Sequence, residues 1–282
     1  TNGVTISAAL LDALRRCGAD VQFSVDTLDR SLFKKLCGRD RLEHVLDNIR
    51  RVMEVGIEPT LSMISTRENV NEVSKVVEFA LSQGITFLHI GKLVSTGRAS
   101  CQRDLDDVSF LELWDALYPL QIRYYRHIAI DLIEDFIAPL ALNRPRGIFC
   151  GAMKHTSLEV TPTGLVTSCG MLPINLFAHG NINDDKPVHI FNRFLAGRSP
   201  SYFNAGRLDD CAGCSAWPLC GGGCRAIAYA VSGDPYGKYP YCHQVREIHR
   251  RVMIDLSDGQ IDNYLEFISN LKQDVVDNSR LF

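Results

Sequence analysis

The stretch Cys211-Ala212-Gly213-Cys214-Ser215-Ala216-Trp217-Pro218-Leu219-Cys220-Gly221-Gly222-Gly223-Cys224-Arg225-Ala226 spaces four cysteines as Cys-x2-Cys-x5-Cys-x3-Cys. A Cys-x2-Cys pair sets two thiolates on one turn, close enough to hold one metal ion or one edge of a cluster. Later cysteines then supply the remaining ligands. The run Gly221-Gly222-Gly223 lets the backbone pass close to a bulky inorganic group. Outward from this core, Cys242 follows eighteen residues after Cys224, and Cys150 and Gly164-x4-Cys169 lie upstream. Of ten cysteines, three (Cys17, Cys37, Cys101) precede residue 150, seven fall between 150 and 242, and none follows. Seven thiolates exceed one four-ligand site, so two sites are expected, one of them short of a ligand. A disulfide network and structural zinc bound by thiolates are the alternatives that spacing leaves open.

The remaining composition excludes several classes. A chain of 282 residues makes one large domain or two modest ones. With 46% hydrophobic and 22% charged residues it has the balance of a soluble globular protein. A net charge of −3 gives no basic footprint for nucleic acid. No apolar run reaches the roughly 18 residues that a membrane-spanning helix needs, because Asp131, Glu134 and Asp135 interrupt the most apolar stretch, 128–142. No secretory signal opens the chain, so a cytoplasmic location is expected.

The first half alternates strand and helix signals. Ser7 caps a helix through Leu10, Leu11 and Leu14, and residues 21–25 read as a strand. Asp40 and Glu43 form a capping-box pattern ahead of Leu42, Val45, Leu46, Ile49, Val52 and Met53. A strand at 60–64 precedes a helix capped by Asn69, with Val73, Val76, Val77, Ala80 and Leu81 on its buried face. The nearly all-apolar 85–90 predicts a strand covered on both faces. A helix at 108–125 and a strand at 128–132 complete the run. Such alternation implies a parallel sheet and part of a barrel, with the chemistry at the C-terminal strand ends. Beyond residue 143 helical periodicity fades, a hairpin spans 158–168, and helical patterning resumes from 245 to 271. The expected division is 1–142, 143–243 and 244–282.

The order Cys-x13-Gly-x4-Cys, Cys-x2-Cys-x5-Cys-x3-Cys, then Cys resembles the SPASM domain of radical S-adenosylmethionine (SAM) enzymes at all seven cysteine positions. Cys220-Gly-Gly-Gly-Cys224-Arg225-Ala226 is similar to that domain's most recognisable stretch. Thr1-Asn2-Gly3 resembles the end of the third strand of the family's barrel. Ser24-Val25-Asp26-Thr27 and Gly38-Arg39-Asp40 are similar to the GTP 3′,8-cyclase branch, and Thr96-Gly97-Arg98-Ala99 to the SPASM branch. The resemblance covers 150–242 and 1–100. It departs in two respects: the family's Cys-x3-Cys-x2-Cys loop, which binds the SAM-cleaving cluster, does not occur in these 282 residues, and residues 143–149 lack the eighth cysteine that some members carry just before the position of Cys150. That loop and the preceding strands are expected upstream of Thr1.

The resemblance implies an α/β fold: a partial (β/α) barrel of radical SAM type, lacking its first strands, with a cysteine-rich SPASM extension. It implies that Cys150, Cys169 and Cys224 hold one auxiliary [4Fe–4S] cluster, its fourth iron open or bound by a non-cysteine group or substrate. Cys211, Cys214, Cys220 and Cys242 would hold a second with four thiolates. Ser24, Asp26 and Leu93 become candidate contacts to S-adenosylmethionine, with capping of strand ends as the alternative role. Ser65 and Thr66 share that rim. The implied function is hydrogen abstraction by a 5′-deoxyadenosyl radical from a peptide or a small cofactor precursor. The auxiliary clusters would handle electrons and a ferredoxin or flavodoxin would supply them; neither nucleic acid nor membrane takes part. No catalytic residue is assigned. The rival reading is a non-catalytic zinc or iron–sulfur module for structure or electron transfer. Cys17 reads as a buried small residue, and Cys37 and Cys101 lack ligand spacing.

Overall fold

Period-two alternation in the first half becomes a parallel sheet with one covered face. The structure, a computed structural model, describes residues 1–94, 108–141, 157–172, 177–196, 208 and 210–279, with side chains to residue 271. Contacts divide the chain into two units, Thr1–Leu142 with Val252–Phe282, and Asn143–Arg251. Residues from 252 onward therefore group with the first unit.

In the first unit, helix α1 (Ala8–Arg16) precedes β1 (Val21–Ser24). Helices α2 (Arg30–Cys37) and α3 (Leu42–Glu54) lead to β2 (Pro59–Ser65), and α4 (Val73–Gln83) leads to β3 (Phe87–Lys92). Helix α5 (Phe110–Tyr124) then leads to β4 (Ala129–Ile130) and α6 (Asp131–Ala141). The four strands are parallel in the order β1-β2-β3-β4. Thr1 lies beside β1 with a parallel bonding pattern, its amine donating to the Gln22 carbonyl (2.7 Å) and its carbonyl accepting from the Ser24 amide (2.9 Å).

Phe23, Leu61, Met63, Leu88 and Ile130 are fully buried, as are Val45, Ile49, Val52, Val76, Val77 and Ala80 from α3 and α4. The intervening strand residues form the other face, where Gln22 and Ser24 are exposed, His89 and Gly91 half-buried, and Phe87 40% exposed. The strand expected to be covered on both faces is thus covered on one. Its apolar run misled because Phe87 lies on the open side and Ile85 falls before the strand.

Two capping expectations also fail, for one reason: the side chain has a better partner. Asp40 does not cap α3, whose N-cap Arg41 makes no side-chain cap bond. Its carboxylate instead takes a two-pronged bond from Arg30 (2.9 and 2.6 Å). Asn69 makes no cap bond either; it is spent on the strand ends, described below. A true capping box forms at Ser109 and Glu112 on α5. Ser7 caps α1 as expected, accepting from the Leu10 amide at 3.1 Å. Cys17, expected to be buried, is exposed. Trp114 is 2% exposed and stacks on Tyr118 at 4.6 Å, consistent with core packing.

The second unit holds a three-stranded antiparallel sheet, β5 (Glu159–Val160), β6 (Leu165–Thr167) and β7 (Ala178–Asn181), in that order. The expected hairpin is β5–β6. Helices α7 (Pro187–Ala196), α8 (Trp217–Cys220), α9 (Arg225–Ser232) and α10 (Cys242–Ser257) follow. Leu172, Phe177, Leu208 and Ala226 make a small core that Cys169, Cys211, Trp217 and Cys224 pack against. The last helix, α11 (Asp262–Ser279), belongs to the first unit, where the Tyr264 hydroxyl bonds Glu134 and the Ser269 hydroxyl donates to the Ala141 carbonyl (3.0 Å).

Candidate functional site

Parallel strands end together, so their C-terminal residues form one rim. Strand β1 delivers exposed Ser24 and, two residues on, half-buried Asp26. Asp26 Oδ1 accepts from the Ile64 amide at 2.9 Å. Burial pushes the Asp26 carboxyl up, and that amide bond opposes the shift. Half-buried Leu93 donates its amide to the Ser65 carbonyl (3.1 Å). Asn69, fully buried, ties the rim together. Its Oδ1 accepts from the Thr66 amide (2.7 Å) and hydroxyl (3.1 Å), and its Nδ2 donates to the carbonyls of Asp26 (2.9 Å) and Ile64 (3.0 Å). The Ser65 hydroxyl is buried without a hydrogen-bond partner. Such a group is costly unless something satisfies it, so the rim offers a hydroxyl to a ligand.

A polar row that the sequence reading passed over crosses the open face. Ser24 pairs with Ser62, and Ser62 with His89. His89 Nδ1 in turn bonds Asp131 Oδ2, while Asp131 Oδ1 accepts from the Ile90 amide (2.9 Å). Asp131 opens α6, where a carboxylate is favoured by the helix dipole. The signal was present in the sequence: a histidine inside an apolar strand, and an aspartate directly after the next one. The Asp131 bond, outweighing burial, holds the His89 imidazole above its ordinary range. With the folded value raised, the pair's contribution to stability is fully present below about pH 6.5 and is lost as pH rises through that folded value. Replacing Asp131 with asparagine should return the His89 titration toward the ordinary range in a histidine NMR pH series. An unchanged midpoint would show that Asp131 is not the cause.

In the second unit a small cavity of about 20 Å³ is lined by Cys211, Cys214, Cys220 and Cys242, together with Trp217 and Tyr239. Cys17, Cys37, Cys211, Cys214, Cys220 and Cys242 form no disulfide. Cys211, Cys214 and Cys220 follow one another through tight turns, the Cys214 amide donating to the Cys211 carbonyl at 3.1 Å. Burial pushes the Cys220 thiol up, opposed by amide bonds from Gly222 and Gly223. Burial raises Cys211 too, and Arg225 opposes it. Amide donors aimed at sulfur suit thiolates that carry negative charge. Cys169 and Cys224 meet around the small core with Cys211, while Cys150 lies outside the described residues, as do Arg98 and Cys101. Among the described residues no three His, Cys, Asp or Glu side chains converge as tightly as a single metal ion requires; the four cysteines instead surround a space.

The glycine run also has a conformational reason. Gly221, Gly222 and Gly223 all have positive φ (62°, 87° and 71°), which side chains resist. A Cβ on Gly223 would also sit 2.6 Å from the Tyr239 ring, and one on Gly222 2.6 Å from Leu208. Protein side chains, rather than open space for a cluster, press on these two Cα atoms.

Residues 1–80 match the Radical SAM superfamily. That match takes in β1, β2 and most of α4. It is 33% identical over 183 residues, 60% of its length, to a probable GTP 3′,8-cyclase of Sulfurisphaera tokodaii, covering 55% of that protein. It is 27% identical over 254 residues, 86% of its length, to the PqqA peptide cyclase of Methylorubrum extorquens, covering 63% of that protein. The chain thus spans less than two thirds of these curated relatives. In fold, 95% of it superposes on 74% of anSMEcpe with bound AdoMet, with a TM-score of 0.68 and 17% identity. It likewise covers 56% of Streptococcus suis SuiB bound to its precursor peptide, with a TM-score of 0.58 and 18% identity. The radical SAM barrel expected from the sequence is therefore the fold observed, and Ser24, Asp26 and the polar row belong to it. No helix among the described residues is long and apolar enough to cross a membrane.

Proposed function

We propose that this chain is the barrel and SPASM portion of a radical SAM enzyme that modifies a peptide. The observation that carries this reading is the cavity lined by Cys211, Cys214, Cys220 and Cys242 in a chain whose residues 1–80 match the Radical SAM superfamily. The residues fit the cofactors. Four thiols surround a space, amide donors face Cys220, and the buried Ser65 hydroxyl at the rim awaits a partner. Cys211, Cys214, Cys220 and Cys242 would hold one auxiliary cluster, and Cys150, Cys169 and Cys224 the other.

When bound, S-adenosylmethionine and its cluster supply a 5′-deoxyadenosyl radical that abstracts a substrate hydrogen atom. The residues of this chain position and protect that chemistry. Ser24 offers a hydroxyl on the open face, and Leu93 offers apolar surface past the end of β3. Asp26 fixes the ends of β1 and β2 in register through the Ile64 amide. His89, oriented by Asp131, presents Nε2 to the open face as a hydrogen-bonding or proton-accepting group. The peptide assignment rests on the relative covering the larger share of this chain, whose name describes a peptide cyclase. A small cofactor precursor is the second reading, favoured by the higher identity to the probable GTP cyclase.

Anaerobic purification followed by iron and sulfide analysis tests the proposal. Brown protein with about eight irons per chain is the expected result, two [4Fe–4S] clusters. Colourless protein with stoichiometric zinc would overturn it in favour of the non-catalytic zinc module.

A further inference from the structure

Arg225 is an unusual buried cation. It is 2% exposed, and buried arginines are ordinarily paired with carboxylates. Here the guanidinium donates only to backbone carbonyls: Gly222, Gly237 (2.9 Å), Pro235 (3.2 Å) and, at the limit, Gly223 (3.5 Å). No carboxylate pairs with it among the described residues. Its position adds to the cost, because Arg225 is the first residue of α9, where the helix dipole is already positive. A desolvated cation at a positive helix end needs an anion nearby. Arg225 follows Cys224 directly, and the Gly222 and Gly223 carbonyls that it holds lie in the loop between Cys220 and Cys224. Those two cysteines belong to the two proposed ligand sets, one to each.

We propose that Arg225 is the fixed counter-charge of the auxiliary iron–sulfur site, making it easier to reduce while its carbonyl bonds tie down the Gly221–Gly223 loop. The inference rests on the cluster reading above. Reduction adds one negative charge to an already anionic cluster, and a cation held in a poorly solvated setting stabilises the more negative state more. Hydrogen bonding, net charge and solvent exposure around the sulfurs set such potentials. Arg225 is thus a positioning and tuning residue that bonds neither substrate nor cluster. Its effect would suit a site that accepts an electron.

The test is an anaerobic redox titration, followed by electron paramagnetic resonance, of the iron- and sulfide-reconstituted protein, wild type against Arg225→Gln and Arg225→Lys. Iron content and circular dichroism are recorded alongside. With glutamine, iron should be retained while the reduced-to-oxidised ratio at fixed potential falls at least tenfold, about 59 mV for a one-electron couple. With lysine, which keeps the charge but not the planar fork, most of that fall should be recovered. Equal midpoints in all three proteins, or equal falls in both variants, overturn the counter-charge. Should the glutamine variant not fold, lysine decides: a near-wild-type midpoint supports the proposal and lost iron overturns it. Wild-type protein that takes up no iron overturns the cluster reading itself, a result distinct from iron bound at an unshifted potential.

Discussion

Replacing Cys214 and Cys220 together with alanine should remove about half of the bound iron, from roughly eight atoms to roughly four per chain, with a matching fall in visible absorbance. Cys220 ends α8 and lines the cavity with Cys211, Cys214 and Cys242. The Gly223 amide donates to its carbonyl at 3.4 Å. Losing two of four thiolates leaves only two, fewer than the three of Cys150, Cys169 and Cys224, which keep their own set. Cys37→Ala is the control: Cys37 is exposed at the end of α2, in the first unit, and its loss should leave iron unchanged. Full iron retention in the double variant would show that the ligand set has been drawn wrongly.

The second large effect is expected at Asn69. Alanine there strips partners from the Thr66 amide and from the Asp26 and Ile64 carbonyls, all at the rim. Each buried group left unsatisfied costs about 1–3 kcal/mol, and neighbouring losses are not additive. A net loss of roughly 3–5 kcal/mol follows, seen as a lower denaturant midpoint and a Tm lower by about 6–15 °C. Asn69→Asp keeps the acceptor but loses both donors and buries a charge, so it should do no better. A change under about 1 kcal/mol in thermal or urea unfolding would mean that water replaces the Asn69 bonds and that the clamp is dispensable.

The elements legible from sequence were those whose signal is local. The strands at 21–24, 59–65 and 87–92 announce themselves by β-branched and apolar residues between glycine stops, and α3 and α4 by their 3.6-residue stripe. Ser7 capped α1 because no rival partner reached it. Asp40 and Asn69 had the right residue type but were claimed by Arg30 and by the strand ends, a competition that only tertiary structure decides. Helix α2, eight residues with one buried side chain, Phe33, carries too short a stripe to stand out. Helices α7 and α9 were hidden in a segment read for its cysteines. In the candidate site, the cysteine set could be read because ligand spacing is encoded along the chain. The His89–Asp131 pair left only its two separate residues as a signal, since 42 positions lie between them and strand register alone shows that they meet. Arg225 stood in the recognised motif from the start, but only its burial shows what kind of charge it needs.

The one-sided cover of the parallel sheet has an evolutionary consequence. Because α3 and α4 contribute buried residues against alternate strand positions, stability depends mainly on those positions. Gln22, Ser24, Phe87 and His89 retain exposure on the opposite side. Each can mutate singly without opening a hole beneath the helices. Substrate preference can therefore drift one side chain at a time over an unchanged scaffold, and a barrel of this kind can acquire new substrates without first being destabilised.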